Sequence, residues 1–281
     1  PNVVVTPHLA ASTQEAQDAN GRYIAQYVLR ALRGELVPEA VNLPQVPRDG
    51  ARVVTEHLPL AETLGSFLAQ AFPGQVDAIT VTYSGELAKH PTALLTNTAL
   101  KGFLATQLGD HVNYINAAAL ARRRGIAVRE SKSLAHAPLG ENGNGERLAA
   151  ATGALSPEAS LITVRSEGPQ GAHHVTGMLR RDGGMRFVAV DGLPIDMAPT
   201  RHMLVSQHRD QPGMVGRFGM ALAARDINIA GLHLGRHRPR GEALMLLQID
   251  EPAPPDLVAE LREAMAVKTV HAVTLPIAGP A

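Results

Sequence analysis

Val3-Val4-Val5-Thr6 is an unbroken apolar run of the buried-strand type. Pro7-His8 follows, then Ser12 with Glu15 three residues on, the form of a capping box. Ala16, Ala19, Tyr23, Ile24, Tyr27, Val28 and Ala31 then recur at helical spacing, and Gly34 stands where a helix stops. Val41 to Pro44 reads as a short extended piece, and Pro44, Pro47 and Gly50 as a linker. Beyond it the pattern predicts a helix over 53–72, a strand from Val76 to Tyr83 and a helix from Thr92 to Leu108. A short helix from Asn116 to Arg124 is stopped by Gly125, and Ile126 starts another strand. Residues 160–165, 172–180 and 185–190 read as three strands joined by glycine-containing turns.

The last segment is patterned most clearly. Met203–Gln207 is a strand, Gly213–Asp226 a helix, and Ile227–Leu234 and Ala243–Ile249 are strands. A helix over Pro254–Met265, with Pro255 in its first turn, leads to a strand over Val270–Leu275. The order βαββαβ predicts a ferredoxin-like unit, a type that often pairs sheet edge to sheet edge. The fold class is therefore α/β and α+β. Residues 1–46 are expected to be the remnant of a doubly wound nucleotide-binding and substrate domain, because Val3–Thr6 looks like one strand of a parallel sheet whose earlier strands are missing. Residues 47–198 form an α+β domain and residues 199–281 the ferredoxin-like unit.

Composition narrows the function classes. Among 281 residues, 26 basic side chains balance 26 acidic ones, and no segment forms a basic arm, so a general nucleic-acid binder is excluded. No apolar run reaches bilayer length. Cysteine is absent, which excludes a disulfide framework, a thiolate zinc site and a cysteine nucleophile, and fits a reducing cytoplasm.

Candidate chemistry sits in three places. His8 follows a strand and precedes a helix, where ligands gather in open α/β sheets and where an imidazole can move a proton near neutral pH. The turn from Gln207 to Gly213 offers helix N-terminal amides to an anion. His208 and Asp210, with Asn228 after the helix, could converge on one small polar ligand, or Asp210 and Asn228 could simply satisfy turn and cap amides. Lys132, near Arg122-Arg123-Arg124, is a weaker candidate for an anion. His233 and His237 have ligand-like spacing but cross a strand end without a third ligand, so no metal is expected. His173-His174 reads as a solvated strand position, and the Gly140–Gly145 run as a flexible loop without P-loop or dinucleotide spacing.

The string Val4-Val5-Thr6-Pro7-His8-Leu9-Ala10-Ala11-Ser12-Thr13-Gln14-Glu15-Ala16-Gln17 resembles the D-3-phosphoglycerate dehydrogenases, within the NAD-dependent D-2-hydroxyacid dehydrogenases. The likeness continues through Gly34–Asn42. Ser84-Gly85-Glu86-Leu87, Val112–Ala117 and Arg124-Gly125-Ile126 resemble the intervening domain of the long enzyme type. His208 to Leu234 resembles an ACT domain. The resemblance implies that His8 is the catalytic acid/base, taking the hydroxyl proton as hydride leaves C2 for NAD. It implies that Ala10 and Ala11 lie beside the nicotinamide, and that His208, Asp210 and Asn228 bind L-serine at a subunit interface of a homo-oligomer. Relatives often have Asn at the position of Asp210, so a carboxylate there puts serine sensitivity in question. The family's partner Glu, its substrate-binding Arg and its glycine-rich cofactor loop are expected upstream of Pro1, so this chain alone is expected to be inactive. Two rivals stand beside this reading. One is a stand-alone amino-acid-sensing ACT module; the other is a serine dehydratase-type regulatory partner, whose iron–sulfur ligands need cysteine.

Overall fold

The computed structural model describes residues 2–5, 7, 9, 11–33, 35, 37, 39–44, 48–133, 159–236, 238–264 and 267–277. His8, Ala10, the Gly140–Gly145 run and His237 lie outside them. The chain forms two compact units, residues 1–45 and 46–281.

In the first unit, helix α1 spans Gln14–Leu32. Its N-cap is Thr13 rather than the expected Ser12: the Thr13 hydroxyl accepts the Ala16 amide at 3.2 Å, the N3 donor that a cap must satisfy. At the other end the Glu35 amide returns to the Arg30 carbonyl at 3.0 Å, closing the last turn. Of the strand expected at Val3–Thr6, the described residues Val3, Val4 and Val5 are not in a strand. Val3, Val4 and Val5 are 74 %, 89 % and 86 % exposed and pair with no described strand. Apolar patterning makes a strand only when a neighbour takes its backbone hydrogen bonds. The apolar stripe of α1 (Tyr23, Ile24, Val28, Leu32) is likewise exposed. Val41–Pro44, expected to be extended, is a turn closed by the Leu43 amide on the Ala40 carbonyl.

The second unit holds two sheets. The expected helix over 53–72 is two helices, α2 (Arg48–Glu56) and α3 (Leu58–Ala71), separated at His57, where Pro59 in the first turn of α3 cannot continue the hydrogen-bond ladder of α2. Strand β1 (Ala78–Ser84), a short 3₁₀ turn over Gly85–Lys89, α4 (Ala93–Leu108), α5 (Ala117–Arg123) and β2 (Ala127–Ser133) follow. Then come β3 (Leu161–Gly168), β4 (Gly171–Leu179), β5 (Met185–Val190) and β6 (Leu193–Met197). The strand order is β2-β1-β3-β4-β5-β6, with β1 and β2 parallel across the α4–α5 crossover and the rest antiparallel. Strand β6 was not anticipated. Asp191 (φ 48°) and Gly192 (φ 72°) make the two-residue turn into it, and Asp-Gly is the sequence signal for such a hairpin.

Helices α3 and α4 cover one face of this sheet with Leu60, Leu64, Phe67, Leu100 and Leu104, all buried. Phe67 packs tilted on Phe187 of β5 with ring centroids 4.8 Å apart. The two helices cross through glycines. A Cβ at Gly65 would overlap the Ala99 carbonyl, and one at Gly102 the Glu62 carbonyl.

The second sheet is built from β7 (His202–Arg209), α6 (Met214–Ala223), β8 (Ile229–Arg236), β9 (Glu242–Ile249), α7 (Pro255–Ala264) and β10 (Thr269–Thr274). Its order, β10-β7-β9-β8, is that of a ferredoxin-like unit, as the pattern predicts. Leu204, Met245 and Leu247 pack with Phe218 and Leu222 of α6 and Leu257 and Leu261 of α7. The opposite face is also buried: Met203, Val205, Leu244 and Leu246 are at most 2 % exposed. The first sheet and its helices meet it. Gln70 of α3 exchanges two 2.9 Å bonds with the backbone of Thr274, Gln248 donates to the Ala198 carbonyl at 2.6 Å, and a Cβ at Gly235 would touch Leu193. The near-continuous apolar run Ala243–Leu247 is the sequence signature of a strand covered on both faces.

Candidate functional site

Strand β7 carries His208 to the mouth of the turn before α6. Pro212 is followed by Gly213 in the left-handed region (φ 87°), and α6 starts without a side-chain cap. The Asp210 amide donates to the Gly241 carbonyl at 2.8 Å, tying this turn to the one between β8 and β9. The Asp210 carboxylate accepts the Arg240 amide at 2.9 Å and the Arg236 guanidinium. Those two donors hold its pKa below the usual carboxylate value. Arg236 and Arg240 were missed by sequence reading. They lie 26 and 30 residues from Asp210, and only the pairing of β7 and β8 against β9 brings them to it. Their effect is chemical. Asp210 enters the site already neutralised, so it does not repel a ligand carboxylate as an isolated Asp would.

His208 is 2 % exposed, its ring 6.5 Å from that of Phe218 and its Nδ1 3.4 Å from the Ser206 hydroxyl. Burial pushes its pKa down against the pull of Asp210, so the ring is neutral at pH 7. Asn228 does not join this pair within one chain. Its side-chain amide donates to Asp250 at 2.8 Å, at the opposite end of the sheet. The register shows the separation: His208 and Arg236 both face Ala243, whereas Ile229 faces Ile249, six residues away. At about 3.3 Å per residue that is roughly 20 Å.

Lys132 sits on β2 with its ammonium on the His90 carbonyl at 2.7 Å and 3.9 Å from the Glu130 carboxylate. Glu130 also accepts the Thr92 and Thr96 hydroxyls at 2.6 and 2.7 Å, and Thr96 meets the buried Tyr83 hydroxyl at 2.8 Å. A cation beside its own carboxylate gains little from an added anion, so this geometry lends the anion reading no support.

Residues 53–140 match the D-3-phosphoglycerate dehydrogenase intervening domain, and residues 202–264 match the ACT domain. The chain carries a D-3-phosphoglycerate dehydrogenase intervening domain and an ACT domain. Over 98 % of its length it is 34 % identical to D-3-phosphoglycerate dehydrogenase of Synechocystis sp., covering 46 % of that protein. It is 32 % identical to the enzymes of Methanocaldococcus jannaschii and Bacillus subtilis, again over 98 % of its length, covering 48 % and 49 % of them. The chain thus spans about half the length of the curated relatives it matches.

The structure also gives the surroundings of further histidines. His173 is only partly solvated: its Nδ1 meets Asp191 at 2.7 Å and its ring stacks on Phe72 at 4.1 Å. The His174 amide donates to the other Asp191 oxygen at 2.8 Å. In the ACT domain the His233 Nε2 faces the Pro194 carbonyl at 3.2 Å, which requires a proton on that nitrogen. Among the described residues no cluster of histidine and carboxylate side chains could hold a metal ion, and no helix is long and apolar enough to cross a membrane.

The buried histidines predict a pH dependence. His57, His174, His208 and His271 all have pKa values lowered from 6.5, in each case chiefly by burial. Their contribution to stability is therefore complete above about pH 6.5. It is lost as pH falls below that value, because the unfolded chain takes up protons that the folded chain refuses. The urea midpoint should fall between pH 7 and 5.5, a window above carboxylate titration; a midpoint that is flat or rises would refute the assignment.

Proposed function

We propose that this chain is the regulatory C-terminal part of a D-3-phosphoglycerate dehydrogenase, with domain boundaries near residues 46 and 198. The whole enzyme oxidises 3-phosphoglycerate to 3-phosphohydroxypyruvate with NAD, the first step of L-serine biosynthesis, in the cytoplasm. Likeness to these enzymes along nearly the entire chain, with both regulatory domain types in order, supports this over a stand-alone sensing module. His8 is the proposed acid/base and Ala10 and Ala11 the residues beside the nicotinamide. Of these, Ala11 is described, in an exposed turn ahead of α1. The exposed stripe of α1 is an apolar face of the kind that further protein covers.

The ACT domain is the proposed L-serine sensor, and the observation that carries it is the register of β8. This strand is the edge of its sheet, and no described backbone group pairs with its outer side. Antiparallel pairing of two copies along that edge places Asn228 of the partner subunit at the end of the sheet that holds Asp210 and His208. A serine carboxylate then meets the uncapped start of α6, and its ammonium meets Asp210.

Subunit mixing tests this. Asn228→Ala and Asp210→Ala chains should each lose the interface component of saturable serine binding in calorimetry. Mixed as unfolded chains and refolded together, they form heterodimers in which one of two sites regains both residues. Equal mixing should restore about a quarter of the wild-type sites. A site formed within one chain would show no restoration.

A further inference from the structure

On the face of the ACT sheet opposite α6 and α7, a cavity of about 150 Å³ lies in the seam with the intervening domain. Asp191 and Leu193, from the β5–β6 hairpin, form one wall; Gln207, Glu242 and Lys268 form the other. Opposite charges line it, yet they do not meet. Among the described residues neither the Glu242 carboxylate nor the Lys268 ammonium has a hydrogen-bond or ion-pair partner. Gln207 is fixed in place: its carbonyl accepts the Lys268 amide at 2.9 Å and its side-chain oxygen the Thr269 hydroxyl at 3.3 Å. Asp191 is held by His173 and the His174 amide, so its carboxylate is a fixed negative wall.

The volume corresponds to about five waters at roughly 30 Å³ each, room for a molecule of five to seven heavy atoms. An acid and a base without partners of their own lining one small cavity, too far apart for each other, match a ligand that carries both charges on one carbon. We propose that this seam is a second binding site, for a small zwitterionic α-amino acid. Its ammonium lies at Glu242 beside Asp191 and its carboxylate at Lys268, and the short Leu193 wall admits only a small side chain.

The site lies apart from the interface between copies, although the Glu242 charge acts on His208. It lies on the other face of the sheet and uses none of Asp210, Arg236 or Asn228. The two are nonetheless adjacent through one strand, because Gln207 and His208 are consecutive and point to opposite faces of β7. Both domains contribute walls, so occupancy should also stabilise their seam by mass action.

The test uses the whole chain carrying Asn228→Ala, which removes the interface site and leaves this one intact. Glycine, L-alanine and L-serine are titrated by calorimetry, with acetate and methylammonium as single-charge probes. Saturable binding of at least one amino acid is expected, at least tenfold tighter than either single-charge probe. Adding Lys268→Met or Glu242→Gln should weaken it tenfold or more while leaving the thermal midpoint without ligand within a few degrees. Absence of binding, binding that ignores both substitutions, or acetate as tight as glycine would each overturn the proposal. Loss of serine binding at the interface in the Asp210→Ala chain, with the seam titration unchanged, separates this site from the serine sensor.

Discussion

Gly102→Ala is expected to destabilise the intervening domain by about 1–3 kcal/mol, and Gly102→Val to prevent its folding. In an exposed helix the same alanine would stabilise by roughly 0.5–1 kcal/mol, because it removes backbone freedom from the unfolded chain. Steric contact decides the sign. The new methyl group would overlap the Glu62 carbonyl oxygen of α3, and a backbone atom inside a helix cannot swing aside as a side-chain tip can. Gly65, facing the Ala99 carbonyl of α4, makes the reciprocal contact, so the crossing has no slack on either side. Gly65→Ala should cost a similar amount, and the double variant should deviate from additivity because both act on one interhelix distance. Urea denaturation followed by circular dichroism measures this. A Gly102→Ala midpoint at or above that of the unmodified chain would mean that α3 and α4 do not cross there.

The second large effect concerns the seam between the sheets. Leu246 is fully buried on the face of β9 away from α6 and α7, beside Met203, Val205 and Leu244. Leu246→Asp places an unpaired charge there and should cost upwards of about 4 kcal/mol, enough to unfold a marginally stable unit. Ala272→Asp, at an exposed position of the neighbouring β10, should be nearly neutral. For the same reason residues 199–281 made alone should self-associate, since removing the intervening domain uncovers that apolar face. A monodisperse segment with a cooperative melt would restore the stand-alone sensing module as a reading. The 281-residue chain with intact packing should melt in one transition that includes both domains.

How much was legible depended on whether the deciding interaction is local. The βαββαβ order, α4, α5 and the meander of β3 to β5 follow from periodicity, because each element buries one face and repeats at its own period. The Asp191-Gly192 hairpin was also written locally and went unread. The ends of elements were less legible: Thr13 rather than Ser12 caps α1, since two adjacent hydroxyl residues differ only in which one reaches the N3 amide. Val3–Val5 has a strand's composition, but a strand's stability lies in a neighbour that composition does not supply.

The candidate site divides in the same way. Residue types named His208, Asp210 and Asn228, because a carboxylate, an imidazole and an amide beside a strand-to-helix turn suit a small polar ligand. Sequence could not place them. Antiparallel register puts Asn228 at one end of the sheet and Asp210 at the other, so the three residues do not meet within one chain. Nor could it find Arg236 and Arg240, whose contact with Asp210 exists only after β7 and β8 both pair with β9. By itself, then, the sequence determined the two domain types, the order of the elements and the chemical kinds of the candidate residues, all carried by short-range pattern. The tertiary structure alone decided which charges are neutralised, which glycines admit no methyl group and which ends of a sheet face each other, because those depend on distances between residues far apart in the chain.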